Sequence, residues 1–323
     1  MESFTKVKLK DSELRLLAAA AFGAELDIAS SRELTGGFYN TAYDLELSDG
    51  RSVILKVAPG PETEVLSYEK DIMRAEVEAL RLMRAQGGVP VPEVYCYDES
   101  LKLISSPYFF LEKVKGQPYN EIKDSLTPEQ QASIEHEVGR YQRRINEIGG
   151  PAFGLFGKTP VESGRTWRET FRSILLDVLQ DAVRLGAQLP ASLTEFEQVL
   201  ERYLPALDEV TQPRLVHWDL WNGNIFVQDG TVVSIIDWER AMWGDVLQEY
   251  YFRHFENSAA FHEGYGITFT RRNELLRKQL YDLHLDLILA IECYSRQYKD
   301  EDHVRWAQDN LTESWRLFTE LVS

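Results

Sequence analysis

The stretch that most constrains how this chain can fold runs from Leu215 to Asp237. Leu215-Val216 reads as the end of a buried strand, and Asp219 to Asn224 as a polar loop. Ile225-Phe226-Val227 then re-enters the core. Asp229-Gly230 is a hairpin-turn dipeptide, and the strand after it, Val232 to Ile236, delivers Asp237 at its end. Two carboxylates and one amide are therefore expected at the ends of adjacent strands, facing one place. A polar loop set so tightly between apolar strands is a scaffold for chemistry rather than a solvated surface turn.

The residue types indicate which chemistry. Asn224 and Asp237 offer hard oxygen ligands of the kind Mg²⁺ takes from a protein, with phosphate and water completing the shell. A separate carboxylate, Asp219, is suited to orient an attacking hydroxyl and take its proton. His217, two residues upstream, is expected to brace the loop through backbone hydrogen bonds. The whole reads as His-x-Asp-x-x-x-x-Asn followed by Asp-Trp-Glu, and a constellation of that kind serves phosphoryl transfer.

The rest of the chain falls into two compositional regions. Helical periodicity covers Asp11 to Phe22. Tyr43–Leu47 and Ser52–Val57 are strands around the turn Ser48-Asp49-Gly50. Asp71–Ala85 is a helix closed by Gly87-Gly88, Val94–Tyr97 is extended, and Tyr108–Val114 is an apolar strand ended by Gly116. Beyond Gly116 helices dominate: Thr127 (an N-cap followed by Pro128) to about Ile148, then Thr166–Leu185, Leu193–Val210, Asn273–Tyr298 and Glu301–Leu321. The order predicts an α+β fold of two lobes, residues 1–116 rich in β-structure and residues 117–323 mainly helical, joined near 112–116.

His-Trp-Asp-Leu-Trp-Asn-Gly-Asn followed by Ile-Ile-Asp-Trp-Glu-Arg-Ala-Met-Trp-Gly-Asp resembles the aminoglycoside phosphotransferase family, within the protein-kinase-like superfamily that also holds choline, fructosamine, homoserine and methylthioribose kinases. The resemblance extends from about Leu34 to the C-terminal helices. It implies that Asp219 is the catalytic aspartate and that Asn224 and Asp237 hold Mg²⁺. It also implies ATP as donor, with GTP as an alternative. Thr35 to Asn40, with Gly36, Gly37 and Asn40, would be a reduced phosphate-covering loop. Lys56, a single lysine inside an apolar strand, needs a buried partner. A kinase supplies the nucleotide phosphates and a carboxylate of the next helix, for which Glu76 is the candidate and Glu78 the alternative. By the same resemblance Glu112 and Val114 would present backbone to the adenine.

Acidic residues outnumber basic ones by 52 to 35, giving a net charge of −17. Such a surface repels nucleic acid and anionic membranes; it would favour a cationic small molecule, or else serves only to keep the protein soluble. Glu239, Asp245, Glu249 and Glu292 follow the catalytic loop and are candidates to hold such an acceptor, with bracing or pairing to an arginine as the structural alternative. The expected function is O-phosphorylation of an aminoglycoside or other basic antibiotic, hence resistance. The alternatives are a metabolic kinase for choline, a ketosamine, a sugar or an amino alcohol, a macrolide kinase, and, from another class, a non-catalytic nucleotide-binding protein. Lys56, Asp219, Asn224 and Asp237 are all present, which argues against the last. Cys96 and Cys293 lie far apart and are expected to stay reduced in a cytoplasmic monomer or homodimer.

Overall fold

The computed structural model describes residues 6–35, 37, 39–156, 164–253 and 258–320. Helix α1 (Asp11–Phe22) precedes a five-stranded antiparallel sheet of β1 (Ile28–Leu34), β2 (Thr41–Leu47), β3 (Ser52–Val57), β4 (Val94–Asp98) and β5 (Tyr108–Glu112), in the order β1-β2-β3-β5-β4, with α2 (Ile72–Gln86) between β3 and β4. Strand alternation sorts the side chains by face. Tyr43, Leu45, Val53, Leu55, Val57, Tyr108 and Phe110 pack with Leu14 and Leu17 of α1, while Phe109 and Leu111 point the other way. Lys56 is in register with Phe109, so it too lies on that second face, its Nζ 5.9 Å from the Phe109 ring centroid.

The second face looks onto α2, and α2 belongs to a core that continues into the rest of the chain. Met73, Val77, Leu80 and Met83 share one apolar cluster with Ile134, Leu215, Trp218, Ile225 and Leu287. The compositional change at Gly116 therefore does not divide the hydrophobic core. The core divides at the sheet itself, between the α1 face and the α2 face. Gly116 has φ 92°, and a Cβ there would sit 2.5 Å from the Val227 carbonyl oxygen, so the chain crosses too close to that backbone for a side chain.

The remaining elements are β6 (Gln117–Pro118), α3 (Tyr119–Ile122), α4 (Pro128–Glu147), β7 (Gly154–Leu155), α5 (Trp167–Leu185), α6 (Leu193–Leu207), β8 (Arg214–Val216), β9 (Ile225–Gln228), β10 (Thr231–Ile235), β11 (Met242–Gly244), α7 (Ala259–Tyr265), α8 (Arg272–Ser295) and α9 (Glu301–Glu320). The Thr127 hydroxyl accepts from the Gln130 amide while the Gln130 side chain accepts from the Thr127 amide, a reciprocal cap that fixes the start of α4. Two expectations need correction. Strand β5 ends at Glu112, two residues short of the predicted limit, and β1 is a strand that the sequence pattern does not predict: Ser30–Arg32 are exposed, so this edge strand lacks the apolar alternation that marks a strand. No helix among the described residues is long and apolar enough to cross a membrane.

Candidate active site

The strands that carry the site belong to two small sheets. Asp219 follows β8, which pairs with β11 in the order β7-β11-β8, whereas Asn224 and Asp237 flank the β9–β10 hairpin of the sheet β10-β9-β6. The adjacency expected from sequence is made by the loop. The Ile236 amide donates to the Asn224 carbonyl at 3.0 Å, and the Asn224 amide to the Trp221 carbonyl at 3.0 Å. Asn224 Nδ2 then donates to both the backbone carbonyl (2.8 Å) and the carboxylate (3.0 Å) of Asp219.

His217 is fully buried and ties the two sheets together. Its Nε2 lies 2.9 Å from the Ile236 carbonyl, and its Nδ1 accepts from the Asp219 amide at 3.2 Å. Burial holds the imidazole below its ordinary pKa despite Glu249 nearby, so it is neutral, with the proton on Nε2. Trp218 and Asp237 both have φ 65°, in the left-handed region that β-branched and bulky residues rarely enter. Each costs about 1–3 kcal/mol, and two such residues around one loop mark a site whose geometry is held by its surroundings.

The holding group is Glu249. Its carboxylate, 1% exposed, accepts from the amides of His217 (3.0 Å), Trp218 (3.1 Å), Leu220 (3.3 Å) and Tyr250 (2.9 Å), and from Gln142 Nε2 (3.1 Å). Gln142 also donates to Asn146, whose own amide nitrogen donates to the Leu215 carbonyl at 2.8 Å. With both oxygens so engaged, Glu249 braces the loop that carries Asp219, the structural alternative weighed for this acid. Two other candidates are likewise engaged inside the protein. Asp245 accepts from Arg277 Nε (2.8 Å), the Tyr281 hydroxyl (2.9 Å) and the Leu247 amide (3.3 Å). Glu292 is bound by Arg240 (2.6 Å), Arg296 (3.1 Å) and the Tyr68 hydroxyl.

Glu239, the fourth candidate, lies on the other side of the site. It accepts from Asn40 Nδ2 at 3.1 Å, and its carboxylate groups with those of Glu76 and Asp237, oxygen atoms within 4.8 Å of one another. Lys56 Nζ sits among them, 2.6 Å from Glu76 and 2.7 Å from Asp237, while Glu78 is exposed on the far face of α2. Burial works against the Lys56 charge, but Asp237 and Glu76 outweigh it and hold the ammonium above its ordinary pKa. Burial and Asp237 push Glu76 up to about 7 against the pull of Lys56, and burial, then Asp237, raise Glu239 well above the carboxylate range. Asp237 opposes its own burial through Lys56 and stays depressed. Three carboxylates crowded around one ammonium are what drive Glu76 and Glu239 to hold protons, and a hard divalent cation, displacing those protons, would complete the donor set.

Asp219 is about a quarter exposed at its side chain. Burial pushes its carboxyl up to about 7, Asp237 and Glu292 push the same way, and Arg240, 4.0 Å distant, and Asn224 pull it back. Arg240 is a site residue that the sequence reading misses; its signal is a cation three residues beyond Asp237, between Glu239 and the apolar Ala241-Met242. At the phosphate-loop end, Gly37 is exposed and a Cβ there would meet only the Asn40 carbonyl at 3.6 Å, so the described protein imposes no steric need for glycine at that position. Gly36 lies outside the described residues. The Glu112 amide is engaged by the Glu93 carbonyl at 2.8 Å, and Val114 follows the end of β5 in the connection to β6.

Comparison with known proteins agrees with this architecture. The profile of the phosphotransferase enzyme family matches residues 30–280. Methylthioribose kinase 1 of Oryza sativa subsp. japonica is 26% identical over 93% of this chain and 66% of its own length. Acyl-CoA dehydrogenase family member 10 of Mus musculus is 26% identical over 65% of this chain but only 18% of its own, so the chain spans a small part of that relative. Among solved structures, a putative fructosamine-3-kinase from Thermobifida fusca superposes with TM-score 0.68 at 20% identity, covering 97% of this chain and 100% of that one. A thermostable mutant of the aminoglycoside phosphotransferase APH(4)-Ia gives TM-score 0.67 at 20% identity over 94% and 98%, and that protein has also been crystallised with AMP-PNP and hygromycin B. This chain belongs to the phosphotransferase enzyme family and has the fold of the aminoglycoside phosphotransferase and fructosamine-kinase structures it superposes on.

Proposed function

We propose that the protein transfers the γ-phosphoryl group of ATP to a hydroxyl of a small molecule, with Mg²⁺ held by Asn224 and Asp237. The observation that carries this reading is the Lys56–Glu76–Asp237–Glu239 cluster, three carboxylates grouped around one ammonium, with Asp237 close enough to raise the Asp219 carboxyl. Mg²⁺, when bound there, would neutralise phosphate oxygens and the carboxylates around them. Lys56 would orient the phosphates from the opposite side, its ammonium fixed by Glu76. Asp219 would accept a hydrogen bond from the acceptor hydroxyl and take its proton as that oxygen bonds to the γ-phosphorus. The bond from phosphorus to the β–γ bridging oxygen breaks, and ADP leaves. His217, Asn224 and Glu249 contribute by fixing where the Asp219 carboxylate stands, so that positioning rather than covalent chemistry lowers the barrier.

The acceptor is best read as a hydroxylated metabolite of the sugar or polyol type. Three of the four acids that suggested a cationic acceptor are engaged in internal pairs, and Glu239 lies with the proposed nucleotide ligands. The net charge of −17 still favours attraction of a cation at long range, which keeps an aminoglycoside as the second reading. A coupled assay of ADP formation against a panel of sugars, ketosamines, amino alcohols and aminoglycosides tests both. Turnover confined to the aminoglycosides would reverse the order, and no turnover with any hydroxyl compound would remove the kinase reading.

A further inference from the structure

The segment leading into α2 is bound to the C-terminal half by a network of ion pairs that starts at α5 and α8 and ends beside Asp219. The Ser67 amide donates to Asp181 of α5 at 2.6 Å, and Arg184 pairs with Glu64. Glu69, 2% exposed, meets Arg296 Nη2 at 2.6 Å, and Arg296, 4% exposed, also reaches Glu292 at 3.1 Å. The Arg296 guanidinium lies 5.8 Å from the ring centroid of Tyr39, in the turn between β1 and β2, and the Tyr39 hydroxyl donates to the Glu69 carbonyl at 3.4 Å. Glu292 in turn holds Arg240 at 2.6 Å, and Arg240 stands 4.0 Å from Asp219.

We propose that Arg296, just beyond the end of α8, is a positioning residue for the nucleotide side of the site. Through Glu69 it holds α2 in the register that pairs Glu76 with Lys56, and through Glu292 it joins that register to Arg240 beside Asp219. The inference rests on the nucleotide reading of Lys56 and Glu76 given above. Its physical basis is leverage. Glu69 is separated from the first residue of α2 by Lys70 and Asp71, and Asp71 has φ 63°, a conformation that a free helix entry would not select. Glu76 follows barely one turn into the helix. Anchoring Glu69 therefore fixes where Glu76 arrives. A guanidinium suits this task because its planar fork can serve two carboxylates and an aromatic face together, which a single ammonium does less well.

The test is binding of Mg·AMP-PNP by calorimetry, together with melting temperature, for the wild type, Arg296→Met, Glu69→Gln and their double variant. Arg253→Met serves as control, because it breaks another buried ion pair, with Asp286, outside this network. Arg296→Met and Glu69→Gln should each weaken nucleotide binding about 10-fold, and the double variant should be no weaker than Arg296→Met alone, the non-additivity expected of groups in one network. Arg253→Met should lower the melting temperature and leave nucleotide affinity unchanged. Should Arg296→Met fail to fold, Arg296→Lys carries the test, with a smaller loss of affinity expected. Unchanged affinity in the Arg296 variants, additive losses, or an equal loss in Arg253→Met would overturn the proposal alone. A wild type that does not bind Mg·AMP-PNP would remove the nucleotide reading with it.

Discussion

Replacing Glu249 by Gln separates a loop brace from a substrate contact. The change keeps size and shape but turns one carboxylate oxygen into an NH₂ group. In the structure one oxygen accepts from the amides of His217 and Trp218 and from Gln142, and the other from the amides of Leu220 and Tyr250. The better orientation of the new amide sets its NH₂ against the Leu220 and Tyr250 N–H groups, leaving two donors facing a donor. A buried donor without a partner costs about 1–3 kcal/mol, so the substitution should destabilise the protein by about 2–6 kcal/mol. An unfolding entropy of about 2.1 cal/mol/K per residue gives about 0.7 kcal/mol/K for this chain, and the melting temperature should fall by about 3–9 °C. Because Leu220 follows Asp219 directly, kcat should fall as well, while the KM of the acceptor changes little. Differential scanning calorimetry and steady-state rates with the acceptor found in the panel would measure both. A variant that melts with the wild type and shows only a raised acceptor KM would refute the brace and restore Glu249 as a substrate residue.

Asp219→Asn should lower kcat by about 10²–10⁴-fold with ATP affinity nearly unchanged, whereas Asp237→Ala should also weaken Mg·ATP binding; steady-state and titration data together distinguish the two. Because burial holds the Asp219 carboxyl up to about 7, the base is lost on acidification, so kcat/KM should fall as pH drops through about 7. The same raised pKa means the folded state binds an extra proton between the ordinary carboxylate range and 7. Stability from this group is therefore lost as pH rises through that window, and Asp219→Asn should melt higher than wild type at pH 8 but not at pH 3; equal melting at both would contradict the burial argument. Glu239→Gln should raise the Mg²⁺ concentration needed for half-maximal rate and leave the acceptor KM unchanged, as a titration of rate against Mg²⁺ would show. EDTA should abolish transfer and excess Mg²⁺ restore it.

Much of the catalytic loop was legible because its information is local. Within Leu215–Asp237, apolar strands, a polar loop and an Asp-Gly turn specify where the chain enters and leaves the core, and the spacing of His217, Asp219 and Asn224 lets them meet within a few residues. Lys56 was legible for a related reason, since a lone cation in an apolar strand demands a buried partner. Helix α4 declares itself through Thr127, whose hydroxyl accepts from the amide three residues on; Thr166 plays the same part at α5.

What the sequence could not decide was which acids face a ligand and which face the protein. Glu239, Asp245, Glu249 and Glu292 look alike as acids after a catalytic loop, yet their roles follow from partners far along the chain: Asn40 for Glu239, Arg277 for Asp245, Gln142 for Glu249, and Tyr68 for Glu292. A buried carboxylate must find donors wherever the fold brings them, and those pairings span 32 to 224 residues. Periodicity and local spacing cannot encode contacts of that range. The sequence determined the loop, its chemistry and the order of the elements; packing α2, α4 and α8 around that loop decided which charges remain for a substrate, because only the assembled core fixes which of them are already satisfied.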